Sequence, residues 1–197
     1  MYLIFDTETA GLPDDYNAPH SDIENWPRMV QLAWETFDIR GRKIGGKSYV
    51  IRPDGFKIPM NAEKVHGIST AVAKRVGAPV ADVLDEFMDA LGESSILVAH
   101  NVSFDAGILG VEFYRIGTKR PFRSVTHVCT MKEATDYCAL PGPYGYKWPK
   151  LEELYYKLFR KRVKESHDAG VDTARCAKCF FELKRLGVIR MAKKARR

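Results

Sequence analysis

Apolar and polar positions along this chain predict strands first and helices afterwards. Residues 1–6 (MYLIFD) form an apolar run that ends in an acid, and they predict a buried strand. The segments 29–39 (MVQLAWETFDI) and 47–52 (KSYVIR) predict two more, joined through the glycine-rich turn IRGRKIGG into a three-stranded meander. Between the first two lies GLPDDYNAPHSDIENWPR, residues 11–28, whose three prolines predict a long ordered loop near the end of the first strand. Loops so placed shape sites. Short helical stretches over 61–92 precede the apolar run SILVAH, which suits a buried strand; a helix over 102–117, a short strand THVCT and a helix near 131–137 follow. PGPYGYKWPK reads as a loop, and helices near 150–159 and 168–187 complete the body. This order predicts an α/β fold, a central mixed sheet covered by helices. No internal repeat or low-complexity linker divides the 197 residues, so one domain over 1–187 and a tail over 188–197 are expected.

The same periodicities place acids where a core is expected. Alternation along the first strand puts Asp6 and Glu8 on one side. In the helix over 102–117, Ile108, Leu109, Glu112 and Ile116 form one face, and stepping back three or four residues reaches Asp105. In the last helix, Asp172 heads a stripe that continues through Cys176, Cys179 and Leu183. Four carboxylates from three distant segments therefore point inward.

Burying one unpaired carboxylate costs several kcal/mol, roughly, and four together repel one another. The surrounding stretches DTETAG, AHNVSFDAG and HDAGVDTA contain no lysine or arginine, only His100 and His167. Divalent cations are the fitting counter-charge, and oxygen ligands select Mg²⁺ or Mn²⁺ over zinc. A pair of such ions suits phosphodiester hydrolysis, because it stabilises both the attacking and the leaving oxygen. Taken singly, each acid has an ordinary explanation: a DxE pair is common at a strand end, Asn101 is an N-cap with Asp105 complementing the helix dipole, and His167 with Asp168 merely starts a helix. Acids on three buried faces at once are not accounted for in that way. His167 precedes Asp172 by five residues, about 500° of helix, so it stands before or at the first turn. From there an imidazole, with an ordinary pKa of about 6.5, reaches over bound metal and accepts a proton from water.

Composition adds less. The net charge of +6 comes from 31 basic and 25 acidic residues. Seven of the basic groups stand in the last 14 residues, KRLGVIRMAKKARR, beside no acid, so the body is close to neutral. Such a tail is either a solvated terminus or a contact to nucleic acid or a partner. The cysteines, Cys129, Cys138, Cys176 and Cys179, are expected to be reduced, and the CAKC pair is read as core, with a zinc site as the weaker alternative. The first 20 residues lack a basic region followed by a long apolar run, and no stretch approaches about 18 apolar residues. A soluble cytoplasmic protein with no membrane partner is expected.

The motifs IFDTETAGL, LVAHNVSFDAGIL and HDAGVDTARC, in this order and with H-x₄-D spacing in the third, resemble the DEDD superfamily of 3′-to-5′ exonucleases in the branch with a histidine base. MVQLAWE and VHGIS extend the resemblance over roughly residues 1–187, and it is strongest to the proofreading epsilon subunits of bacterial DNA polymerase III. The resemblance implies a ribonuclease H-like fold with a central mixed sheet of about five strands, the first three antiparallel. It implies that Asp6, Glu8 and Asp172 hold one Mg²⁺ or Mn²⁺, that Asp6 bridges to a second near Asp105, and that His167 is the general base. It further implies that the backbone of Thr7 to Thr9 meets the 3′-terminal nucleotide, Leu12 and Phe104 pack on its base, and His66 and Asn101 line the pocket. The expected partners are single-stranded DNA or the 3′ ends of duplex DNA; RNA and a DNA polymerase stay open. Alanine at position 10 departs from the second threonine common in the family, and the loop over 11–28 is longer than a minimal member needs. Tyr16 and Trp26 in that loop either contact substrate or fold the loop back. A fold of this kind that binds nucleic acid without cutting it is the alternative from another class.

Overall fold

The computed structural model describes residues 1–92, 96–118 and 125–190. Three antiparallel strands come first: β1 (Tyr2–Thr9), β2 (Met29–Phe37) and β3 (Lys43–Val50). Helices α1 (Met60–His66), α2 (Thr70–Val76) and α3 (Val80–Gly92) lead to β4 (Ile96–Ala99), α4 (Val102–Arg115) and β5 (Thr126–Cys129). Then come α5 (Thr130–Glu133), α6 (Thr135–Cys138), the short hairpin β6 (Pro141–Gly142) and β7 (Gly145–Tyr146), α7 (Leu151–Phe159) and α8 (Ala169–Arg185). The central sheet has the order β3-β2-β1-β4-β5, with β4 and β5 parallel to β1. It is the mixed five-stranded, ribonuclease H-like α/β sheet that the sequence predicts.

Alternation along β1 sorts its side chains between two apolar layers. Leu3 and Phe5 pack with Phe87 of α3 and Ile108 of α4 on one face. Tyr2 and Ile4 pack with Leu154 of α7 and with Cys176, Phe180 and Leu183 of α8 on the other. All four cysteines are free and buried. Asp6 and Glu8 continue the α8 face, and Thr7 continues the α4 face.

Several boundaries differ from the sequence reading. β1 runs on to Thr9, because pairing with β2 continues through Glu8 opposite Gln31 and only then meets a bulge. β3 begins at Lys43, since Gly45 and Gly46 are strand residues and not part of the turn. A Cβ at Gly46 would fall 2.7 Å from the Trp34 carbonyl, so the close approach of β2 and β3 needs glycine there. The turn itself is made by Asp38, whose Oδ1 accepts from the backbone N–H of Arg40 at 2.8 Å and of Arg42 at 2.9 Å. The stretch over 131–137 breaks at Ala134 into α5 and α6, and the proline-rich stretch 141–150 contains the β6–β7 hairpin. Beyond α8 the chain stays attached: Ile189 is 4% exposed and packs with Leu183. Residues 191–197 of the basic tail lie outside the described residues. So does Ser95, the first residue of the SILVAH stretch.

Candidate active site

Three acids meet where β1 passes under the start of α8. Ligand oxygens of Asp6, Glu8 and Asp172 lie within 4.8 Å of one another. Asp172 is in the first turn of α8, which Asp168 caps by accepting from Val171 N–H at 3.0 Å. The turn is fixed over the sheet by Gln31, the residue opposite Glu8. Its Oε1 accepts from Ala169 N–H at 3.1 Å, and its Nε2 donates to Ser48 Oγ at 3.3 Å and Asp168 Oδ2 at 3.5 Å. Asp105 comes from the other face, in the first turn of α4, and is 3% exposed. Thr7 reaches it because its side chain alternates to that side: Thr7 N–H and Oγ1–H both donate to Asp105 Oδ1, at 3.0 and 2.7 Å.

Burial raises the proton affinity of all four carboxyls, and for Asp6 and Glu8 mutual repulsion adds to it. Burial pushes Asp6 well above the ordinary carboxylate range, and the charges of Asp105, Glu8 and Asp172 push it further. Burial, then Asp172 and Asp105, raise Glu8 to about 8. Asp105 rises to about 7, burial outweighing the Thr7 hydrogen bonds that favour its charged form. Asp172 is raised by burial, against the pull of Arg175, whose Nη1 donates to its Oδ1 at 3.2 Å. Converging hard oxygen donors with so little cationic compensation fit divalent metal. Asp6, Glu8 and Asp172 are the residues that would hold it, with Asp105 beside them.

His167 stands just before the Asp168 cap in a left-handed conformation, φ 47°, which satisfies the spacing argument that it cannot share a face with Asp172. Its ring is part-exposed, with Nε2 3.5 Å from Glu165 Oε1. The irregular segment leading to it is tied down by Arg175 Nη1 donating to the Lys164 carbonyl at 2.8 Å and by Lys150 Nζ donating to Glu165 at 3.1 Å. Lys150, Glu165, His167 and Arg175 line one side of a cavity of about 290 Å³.

Asp6, Glu8, Asp105, His167 and Asp172 all line that cavity, as do Thr7, Asn101 and Phe104. Thr9, Leu12 and His66 stand outside its lining. Thr9 Oγ1 donates to the Gly11 carbonyl at 2.6 Å, and Leu12 projects into solvent at 71% exposure. His66 closes α1, with Nδ1 accepting from Ile68 N–H at 3.1 Å. Its Nε2 is buried near the Thr9 carbonyl without a hydrogen bond of normal geometry, and burial lowers its pKa. Asn101 does hold the N-cap position of α4, but it is left-handed with φ 84° and its side chain makes no capping hydrogen bond, so it is not an ordinary N-cap. Phe104 serves two surfaces, packing partly into the core and facing the cavity.

Sequence reasoning missed Gln31 and Arg175, and it left Glu112 unexplained on the buried stripe. Gln31 was legible as the one polar side chain inside the apolar run MVQLAW. Glu112 Oε1 accepts from Arg28 Nε at 3.0 Å, Arg115 Nη1 at 2.9 Å and Met29 N–H at 3.0 Å, which joins the end of the 11–28 loop to α4. Replacing Glu112 with alanine leaves two guanidiniums and an amide without this acceptor. A loss of about 2–4 kcal/mol in urea denaturation is expected, with the midpoint lowered and the slope unchanged.

The sequence profile of the RNase_T family, described as exonuclease, matches residues 3–180. DNA polymerase III subunit epsilon of Buchnera aphidicola is 32% identical over 185 residues, 91% of this chain and 70% of that protein. The Salmonella typhimurium epsilon subunit is 30% identical over 141 residues, 70% of this chain and 51% of its own length. A PolC-type DNA polymerase III of Lactococcus lactis is 32% identical over 116 residues, which are 59% of this chain and only 6% of that polymerase. Among solved structures, E. coli exonuclease I in complex with a dA16 oligonucleotide shares the fold at a TM-score of 0.70 and 20% identity, over 93% of this chain and 40% of that one. Among the described residues, no helix is long and apolar enough to cross a membrane. By its profile and its epsilon relatives, and with the acids of all three motifs gathered at one cavity, the chain belongs to the DEDD family of 3′-to-5′ exonucleases.

Proposed function

We propose that this chain removes nucleotides one at a time from the 3′ ends of DNA, preferring single-stranded or frayed ends, and releases nucleoside 5′-monophosphates in proofreading or repair. The observation that carries this reading is the convergence of Asp6, Glu8 and Asp172 with Asp105 and His167 around one cavity. Two Mg²⁺ or Mn²⁺ ions, when bound, would supply an acidified water and charge stabilisation at the scissile phosphate. Asp6, Glu8, Asp105 and Asp172 would hold them. His167, at the cavity mouth, would accept the proton of the attacking water at its imidazole. Thr7 keeps the Asp105 carboxylate oriented through its two hydrogen bonds. Phe104 offers a face to the terminal base, and Asn101 an amide free of capping duty. Thr9, Leu12 and His66 would close on the nucleotide from outside the present lining.

The domain that does this work would span residues 1–187, in the cytoplasm, alone or beside a DNA polymerase. The test uses 5′-labelled single-stranded DNA and RNA of one sequence, incubated with Mg²⁺ and separately with chelator. A metal-dependent ladder shortening from the 3′ end of DNA is expected. Faster trimming of RNA would replace the DNA reading, and intact strands retained by the protein would replace the enzyme with a binding module.

A further inference from the structure

The 11–28 loop is built as part of α4, the helix that carries Phe104 and Asp105. Trp26 is 4% exposed and its six-membered ring packs against Gly107, where an added Cβ would fall 2.6 Å from the indole. His20 rests in the same way on Gly110, one turn along the same face. Arg115 donates to the carbonyls of Ile23 and Trp26, both at 2.6 Å, and of Pro27 at 3.2 Å. Across the loop, Asp15 N–H donates to Asn25 Oδ1 at 2.7 Å, and Asn25 Nδ2 donates back to the Asp15 carbonyl at 2.9 Å. Trp26 therefore folds the loop back.

Tyr16, the next residue after that clasp, does the opposite. Its ring is 54% exposed, and its hydroxyl has no hydrogen-bond partner among the described residues. It does not line the cavity but stands outside it against Phe104, centroid to centroid 6.2 Å with planes 45° apart. An apolar ring held in water by a clasped loop has lost its freedom before any ligand arrives, so little further ordering opposes binding.

We propose that Tyr16 and Phe104 form a two-ring platform, with Phe104 under the terminal base and Tyr16 under the base next to it. The platform rests on the exonuclease reading above and sets its specificity: the enzyme grips at least two unpaired nucleotides. Stacking on Tyr16 makes no demand on base identity.

The test compares the full chain with Tyr16→Ala and Tyr16→Phe on two substrates. One is a single-stranded oligonucleotide, and the other is thymidine 5′-(p-nitrophenyl phosphate), which has no second base. Tyr16→Ala should raise the oligonucleotide KM about tenfold relative to the mononucleotide KM, and Tyr16→Phe should keep the wild-type ratio. An unchanged ratio in Tyr16→Ala, with both substrates cleaved by wild type, overturns the platform and leaves the exonuclease reading standing. Equal losses on both substrates together with a lowered melting temperature would assign Tyr16 to loop packing and overturn it as well. Failure of wild type to cleave either substrate in Mg²⁺ or Mn²⁺ removes the exonuclease reading and this proposal with it.

Discussion

Replacing Asp6 with alanine is expected to lower 3′-terminal hydrolysis by on the order of 10³-fold or more while the protein stays folded, because a metal-holding carboxylate contributes several kcal/mol at the transition state. Asp6 stands at the centre of the cluster, and the charges of Asp105, Glu8 and Asp172 all reach it. The same position gives the substitution an opposite effect on stability. In chelator, the folded protein holds protons on Asp6 and Glu8 that the unfolded chain releases above pH of about 4, since burial raises both groups and Glu8 reaches about 8. The native state then binds more protons than the unfolded state, so stability falls as pH rises from about 4 toward 8. Metal that binds only the folded form reverses the fall. Thermal melts at pH 5 and pH 8, with chelator or Mg²⁺, should show wild type least stable at pH 8 in chelator and Asp6→Ala more stable there. Undiminished turnover in the variant would sink the catalytic assignment, and a variant less stable than wild type in chelator would sink the electrostatic one.

His167→Ala should lose roughly 10²–10⁴-fold in kcat, the usual contribution of a positioned general base. Metal affinity should change less than kcat, because alanine keeps the main-chain hydrogen bond that His167 gives Asp172 and removes only the charge of the imidazole beside it. The left-handed backbone at φ 47° is itself unfavourable for alanine, by about 1–2 kcal/mol. His167→Asn, which tolerates that conformation, is therefore the cleaner variant. Titration with Mn²⁺ separates the two roles: a large loss of Mn²⁺ binding in His167→Asn would make the residue a ligand or a prop and not the base.

The carboxylates were legible because their positions contradict their surroundings. Asp6, Glu8, Asp105 and Asp172 continue apolar faces whose periodicity is strong, and one sequence suffices to see that. The meander was legible from apolar runs rich in β-branched and aromatic residues, separated by a glycine-rich turn. The residues that hold the site in place were less visible, because they act through partners distant in sequence. Nothing local to Glu112 announces that Arg28 and the Met29 amide will meet it 84 and 83 residues away. Asn101 illustrates another limit: residue type and position fit an N-cap, and only the structure shows that its side chain makes no capping hydrogen bond. The β6–β7 hairpin pairs only Pro141 with Tyr146 and Gly142 with Gly145, too short a pattern to distinguish from a loop.

The acids on β1 face α8 while Asp105 arrives with α4 across the sheet, so both layers must dock before the cluster is complete. Asp6 lies in the first strand and Asp172 in the last helix. A chain that lacks residues 169–185 keeps Asp6, Glu8 and Asp105 but has neither Asp172 nor the capped turn that presents it, so the two carboxylates of β1 are left without their third partner.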